Sequence, residues 1–235
     1  MKNTVIALGT LFALGLSTSV LAGASSTITA TSNYSYNGYS QTENEAALQG
    51  SLDYGWDNGI YIGTFASNVG FNGFGTDVEW DAYVGKYTQL NDTFGLDAGI
   101  SVYTYYGESA ASDLNYNEVY SQLDITSDMG VSNIRAAYAW DYFGYDVEHI
   151  VTTLAHTFEV ADGHSLKLTY NYSYSFDEAK WPWGNNNKSY DHFKVSYLTN
   201  YKGFDFDISA EDTSINHQDE TKARVIFTVS RTFSF

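Results

Sequence analysis

The chain has 235 residues, 28 acidic against 11 basic, a formal charge of −17 and a mean hydropathy of −0.29. So acidic a chain repels nucleic acid and anionic lipid, while 21 Tyr, 14 Phe and 5 Trp exclude a disordered acidic polymer. The absence of Cys, with Pro182 the single proline, excludes a small disulfide-stapled domain, so another source of stability is needed.

At the N-terminus, Lys2 precedes a Leu-, Ala-, Gly- and Val-rich run from Val5 to Val20. Val20-Leu21-Ala22 then offers the small-residue pattern of a signal-peptidase site, with Ala22-Gly23-Ala24 as a second option. Residues 1–22 are therefore expected to be a cleaved signal peptide, with residues 4–21 as a helix unattached to the rest. Residues 23–235 form the mature domain.

The mature region alternates with a period of two in segment after segment. Approximate strands are 27–38, 46–56, 60–69, 77–88, 94–105, 115–126, 131–141, 147–158, 165–176, 190–201, 204–212 and 221–235. The clearest is Leu166 to Phe176. Leu166, Leu168, Tyr170, Tyr172, Tyr174 and Phe176 take one face, and Lys167, Thr169, Asn171, Ser173 and Ser175 the other. Each segment is near the length of about ten residues that crosses a bilayer when tilted.

Short connections at 57–59, 90–93, 127–130, 160–164 and 202–203 alternate with longer ones near 70–76, 106–114, 177–189 and 213–220. Trp56, Phe94 and Phe158 fall near the short set, and Trp80, Tyr105, Trp140 and Phe176 near the long set. They make two interfacial girdles. The pattern predicts an all-β, transmembrane, antiparallel up-and-down barrel of about 12 strands, with 10 as the alternative. A soluble sandwich or lipocalin-like barrel would not need aromatic residues clustered at strand ends.

The last segment strengthens this reading. Val225, Phe227, Val229, Phe233 and Phe235 alternate with Ile226, Thr228, Ser230, Thr232 and Ser234, so Val225, Phe227, Val229 and Phe233 are expected outside and Thr228 and Thr232 inside. A final strand ending in Phe233 and Phe235 resembles the signal by which outer-membrane barrels are recognised for assembly. Arg231 interrupts the outward series; near an interface its long side chain can snorkel.

The first half also resembles a known family. Gly38-Tyr39-Ser40-Gln41-Thr42, Ala47-Leu48-Gln49-Gly50, Asp53-Tyr54, Gly59-Ile60-Tyr61-Ile62-Gly63, Ala66-Ser67-Asn68-Val69, Tyr103-Thr104-Tyr105-Tyr106 and Asn115-Tyr116-Asn117-Glu118-Val119-Tyr120 are similar, in order and spacing, to the TorF family of porins. The likeness covers roughly residues 27–126. It implies a proteobacterial outer-membrane channel without naming a permeant. That family usually carries basic residues between Tyr34 and Gly38, where this chain has Ser35 and Asn37, so an anion preference does not carry over.

Catalytic readings find little support. The histidines are His149, His156, His164, His192 and His217. His156 lies at the short-turn end of its strand with no outward Ser evident beside it, and Asp191-His192 or His217, Asp219 and Glu220 read as solvated loop groups. No nucleophile motif, close His pair or phosphate loop is present, so no enzyme, cofactor or metal site is expected. Acidic loops could at most share divalent ions with lipopolysaccharide.

Function is expected to reside in the inward positions. By alternation these are Asp53, Asp77, Glu79, Asp81, Asp97, Glu118, Asp124, Asp205, Asp207 and Glu211, with Arg135, Lys167, Lys194, Lys222 and Arg224. A charge facing lipid near mid-bilayer costs about 2–4 kcal/mol for Arg or Lys, which sends these groups inward. With no loop long enough for a large plug, the expectation is a narrow, wet, net-acidic pore passing small cations or neutral solutes. Strand order places Asp77, Glu79, Asp81 and Glu118 opposite Lys194, Lys222 and Arg224 across the outer vestibule. The expected partners are outer-membrane lipid and lipopolysaccharide, the barrel-assembly machinery and a small permeant. A non-conducting surface barrel is the alternative, and a hydrolase the third.

Overall fold

The computed structural model describes residues 22–71, 73–184, 186–215 and 219–235. The expected signal helix at 4–21, the leader generally and His217 lie outside the described residues.

Twelve antiparallel strands close a barrel. They are β1 (Gly23–Thr31), β4 (Ala47–Gly55), β5 (Ile60–Asn68), β6 (Thr76–Gln89), β7 (Phe94–Gly107), β8 (Tyr116–Ser127), β9 (Gly130–Ala139), β10 (His149–Ala161), β11 (His164–Ser175), β12 (Ser189–Tyr201), β13 (Phe204–Thr213) and β14 (Arg224–Ser234). A small hairpin, β2 (Ser35–Tyr36) and β3 (Tyr39–Ser40), stands apart from the ring. Consecutive barrel strands pair throughout, and β1 closes the ring on β14 with Ser25 opposite Ser234 and Thr31 opposite Thr228. Closure leaves no edge unpaired among the twelve barrel strands, the condition for spanning lipid with strands. Among the described residues no helix is long and apolar enough to cross a membrane.

The period-two pattern becomes a sidedness. Ile28, Leu52, Ile62, Val84, Val102, Leu168, Val195, Ile208, Val225 and Phe227 are exposed on the outside. Thr29, Ser101, Gln122, Asn133, Thr153, Asn171, Ser173 and Ser209 are buried inside. This polar-in, apolar-out order inverts that of a soluble barrel and suits a hydrocarbon surround. Trp56, Trp80, Trp140 and Phe176 lie exposed on the outer surface as expected. Tyr105 does not: it is buried, because its odd position on β7 faces inward with Tyr103 and Ser101. Arg231 stays outside and covers the rings of Phe204 and Phe233, at 4.9 and 5.2 Å.

The first predicted strand is corrected. β1 stops at Thr31, and the chain turns into the barrel as the β2–β3 hairpin. Ser35 pairs with Ser40 and Tyr36 with Tyr39. Asn37 and Gly38 form the turn with φ of 51° and 84°, the positive pair that a type I′ turn requires and that Asn-Gly supplies most readily. No large plug is expected from the sequence, and this segment is short, but it does fold inward.

The long connections pack together at the opposite end from the termini. Phe143, from the connection after β9, has φ 51° and stacks on Tyr105 at 5.6 Å and on Trp181 at 5.4 Å. Phe71 meets Tyr105 edge-on at 5.5 Å, and Tyr103 stacks on Tyr116 at 4.5 Å. Leu114, Tyr142, Trp183 and Tyr190 complete one apolar cluster over that half of the interior.

Candidate functional site: the barrel lumen

One wall of the lumen, from β4 to β8, is dense. Tyr83 lies across from Gly63, Tyr61 from Gly85 and Tyr120 from Gly99. In each pair the tyrosine ring occupies the space a β-carbon would need. Glycine thus seats the rings flat against the wall, and their hydroxyls reach the neighbouring carboxylates. Tyr83 bonds Asp53, and Tyr61 bonds Tyr120 and donates to Asp97 at 2.8 Å. Asp124 accepts from Gln122 and Asn133, each at 2.8 Å.

Nearer the long loops, the inner hairpin covers the remaining acids. Tyr34 donates to Glu79 at 3.0 Å and Tyr36 to Glu118 at 3.3 Å. Arg135 pairs with Glu118 at 3.1 Å and lies over the Tyr120 ring at 4.2 Å. Glu79, Asp81 and Glu118 are therefore inward but buried beneath tyrosines. Burial, then the charge of Glu79, pushes the Tyr34 hydroxyl well above its ordinary range and keeps it a donor.

The other face of the hairpin is anchored to β12–β14. Glu211 accepts from Ser35 at 2.5 Å and lies 3.3 Å from both His192 Nε2 and Arg224 Nε. Arg224 also donates to the Gly38 carbonyl at 2.9 Å and to Asn44 Oδ1 at 2.8 Å. Tyr190 donates to the Asn37 carbonyl at 3.1 Å. The acidic and basic walls anticipated from strand order are thus joined through the hairpin, neither bare across a vestibule nor paired directly.

Below the hairpin a cavity of about 110 Å³ runs along the β11–β14 wall. Lys167, Lys194, Asp205 and Asp207 line it with Ser196, Thr228 and Ser230, and Asn33, Ser35 and Asn37 line it from the hairpin. Lys194 Nζ stands 3.8 Å from Asp207, and Asn200 donates to Asp205 at 2.8 Å.

Two charges expected in the lumen are elsewhere. Asp77 is exposed because a bulge between Thr76 and Val78 breaks the alternation, leaving Thr76 buried in its place. Lys222 precedes β14 and pairs with Asp219 on the exposed connection. Asp53, Glu79, Asp81, Asp97, Glu118, Asp124, Arg135, Lys167, Lys194, Asp205, Asp207 and Arg224 sit on the inward face of their strands. Phe233 is exposed outside, and Phe235 lies just beyond β14, its amide bonded to Ala24.

Sequence reasoning missed the inner hairpin, for which Asn37-Gly38 was the available signal. It also missed the partner of His156. Ser132 lies directly across the β9–β10 ladder on the outer face, its Oγ 2.7 Å from His156 Nδ1. The second ring nitrogen is 3.3 Å from the Met129 carbonyl, so among the described residues no acidic group completes a relay.

Comparison with known proteins agrees with the barrel. The KdgM porin, solved in complex with disordered oligogalacturonate, superposes with a TM-score of 0.60 at 10% identity, covering 90% of this chain and 99% of that one. The NanC porin gives 0.60 at 10%, covering 89% and 99%. At such identity the likeness establishes a shared porin barrel fold. No curated protein matches the sequence. A model of a bacterial protein family of unknown function, Gcw_chp, matches residues 18–233. The chain belongs to the Gcw_chp family.

Proposed function

We propose that this protein is an outer-membrane porin-like channel through which small solutes diffuse passively, with the path running between the inner hairpin and the β11–β14 wall. The observation that carries the reading is the inversion of a soluble barrel. The outside is an apolar belt edged by Trp and Phe, and the inside is charged, hydroxylated and still holds a lined cavity. Lipid would satisfy the first surface and water the second. The likeness of residues 27–126 to TorF porins and the porin fold support the same conclusion. KdgM, whose structure holds oligogalacturonate, is a precedent for a saccharide in such a barrel, at an identity that leaves the permeant here to this chain's own lining.

Inward carboxylates outnumber inward bases, so the lumen as a whole is net acidic. The acids of the β4–β8 wall, however, are capped by tyrosines, and the hairpin narrows the outer half. A second reading comes from that narrowing: a non-conducting barrel acting through its acidic outer loops. Planar-bilayer recording of purified, refolded protein separates the two. Discrete conductance steps are expected, and their absence above the lipid background would end the channel reading.

A further inference from the structure

The charges around the cavity answer one another. Glu211 accepts from Ser35 and lies 3.3 Å from both Arg224 and His192. The other ring nitrogen of His192 is 2.7 Å from Asn171. Asp207 Oδ2 accepts from Ser196 at 3.4 Å and faces Lys194 at 3.8 Å. Asn200 donates to Asp205 at 2.8 Å, and Lys167 is likewise engaged. The three lining carboxylates, Asp205, Asp207 and Glu211, are thus set against Lys167, Lys194 and, beside Glu211, Arg224. An entering ion meets a balanced wall and must compete with contacts already made.

What remains unmatched is uncharged in character and one-sided. Asn33, Asn37 and Asp207 line the cavity, and Oδ1 of each is buried with no hydrogen-bond partner among the described residues. All three atoms are acceptors. Among the described residues, no lining N–H or O–H is left buried in the same condition. Unpaired acceptors in a narrow polar space favour a solute that brings donors.

The same cavity breaks the polar-in order of the barrel. Leu198 and Ile226 share the parity of Ser196 and Thr228, face inward, are buried and line it. Leu198 is level with Asp207, and Asp207 with Thr228, the next inward position after Ile226. Two aliphatic side chains therefore flank the unpaired Asp207 oxygen. A bare cation would satisfy the acceptors but would set its charge against this apolar pair. A molecule with C–H on one face and hydroxyls at its edge fits both.

We infer, resting on the channel reading, that the cavity is a passage subsite for small neutral polyols and monosaccharides, whose hydroxyls donate to the Asn33, Asn37 and Asp207 oxygens while a C–H face rests on Leu198 and Ile226. An added charge on the same skeleton must shed its hydration and finds each opposite charge engaged, so it is disfavoured.

The test uses the full mature chain and three probes sharing one ring: glucose, glucuronate and glucosamine. Calorimetric titration of the folded barrel in a zwitterionic, sugar-free detergent reads the subsite without needing conductance. Planar-bilayer recording at matched ionic strength reads passage, through block of the ion current. Glucose is expected to bind saturably and to block saturably, with both charged analogues at least tenfold weaker. N37G keeps the residue type that tolerates the positive φ of the turn and removes the amide; it should weaken glucose about fivefold. L198S should weaken it about as much by removing the apolar face. Glucose that does not bind saturably, or a charged analogue that binds as well, overturns the inference and leaves a conducting channel standing. Saturable glucose binding without conductance overturns the channel reading instead. The ranking of the three probes on wild-type protein decides these outcomes if a variant fails to fold.

Discussion

Tyr34 donates its phenolic hydroxyl to Glu79 at 3.0 Å, from a segment that enters the barrel after β1 to a strand three places round the ring. With Tyr36 on Glu118 and Ser35 on Glu211, the bond holds the inner hairpin across the lumen between opposite sides. The hairpin therefore sets both the width of the interior and which charges water can reach.

Its turn is the place to test that role. Gly38 has φ 84°, and a β-carbon there would collide with Thr213 and His192 side chains. Gly38→Val is expected to dislodge the turn while leaving the barrel ladders intact, since no barrel strand passes through it. Single-channel conductance should roughly double as the constriction is relieved. Unchanged conductance would place the permeation path away from the hairpin.

The outer surface makes a separate prediction. Val195 is half-exposed on the outside of β12, beside Leu168 of β11. In lipid, Val195→Arg should cost about 2–4 kcal/mol of stability. Denaturant unfolding from vesicles measures it. A cost near zero would mean that this face meets water.

The Glu118–Arg135 pair is asymmetric in what its loss should do. Arg135→Gln leaves a buried carboxylate without its cation, so a destabilisation of about 3–5 kcal/mol is expected. In the Arg135→Gln/Glu118→Gln double variant much of that cost should return, because no uncompensated charge remains. Unfolding midpoints of Arg135→Gln, Glu118→Gln and the double variant form the cycle, and equal costs for Arg135→Gln and the double change would contradict the pairing.

Ion selectivity depends on which carboxylates are covered. Glu79, Asp81 and Glu118 are beneath tyrosines, so their replacement by amides should shift the reversal potential far less than Lys167→Gln or Lys194→Gln does. A larger shift from the acids would show that they face the path after all.

The loop end carries a pH dependence of definite sign. Lys180 lies 2.6 Å from Asp146 and holds that carboxyl below its ordinary value, while its own pKa is raised. A carboxylate with a depressed folded pKa contributes stability above its unfolded value and loses it as pH falls through the folded one. The raised lysine contributes below its unfolded value and loses it as pH rises through its folded pKa. The pair should thus hold these connections across neutral pH and release them at both extremes. Both partners are exposed, so salt should weaken the contact. Trp181 stacks on Phe143 beside this pair, and its fluorescence should change at acid pH with the barrel still folded. An emission unchanged until global unfolding would exclude local release.

The alternation of residues determined much by itself: strand number, the short and long connections, and which residues of Leu166 to Phe176 or Phe204 to Glu211 face in. That is legible because side-chain direction in a strand depends only on parity, and an apolar or polar face must repeat every second residue. The same rule failed at Asp77, where one bulged residue shifts parity, and at Lys222, which precedes its strand. It failed most at Tyr34 to Ser40, whose alternation suits a wall strand as well as an inner hairpin. There the tertiary structure decided, through partners 45, 82 and 176 residues away at Glu79, Glu118 and Glu211. Inward direction is a local property of the chain. Whether an inward carboxylate meets water or a tyrosine hydroxyl depends on strands brought together only when the barrel closes, and so on the fold.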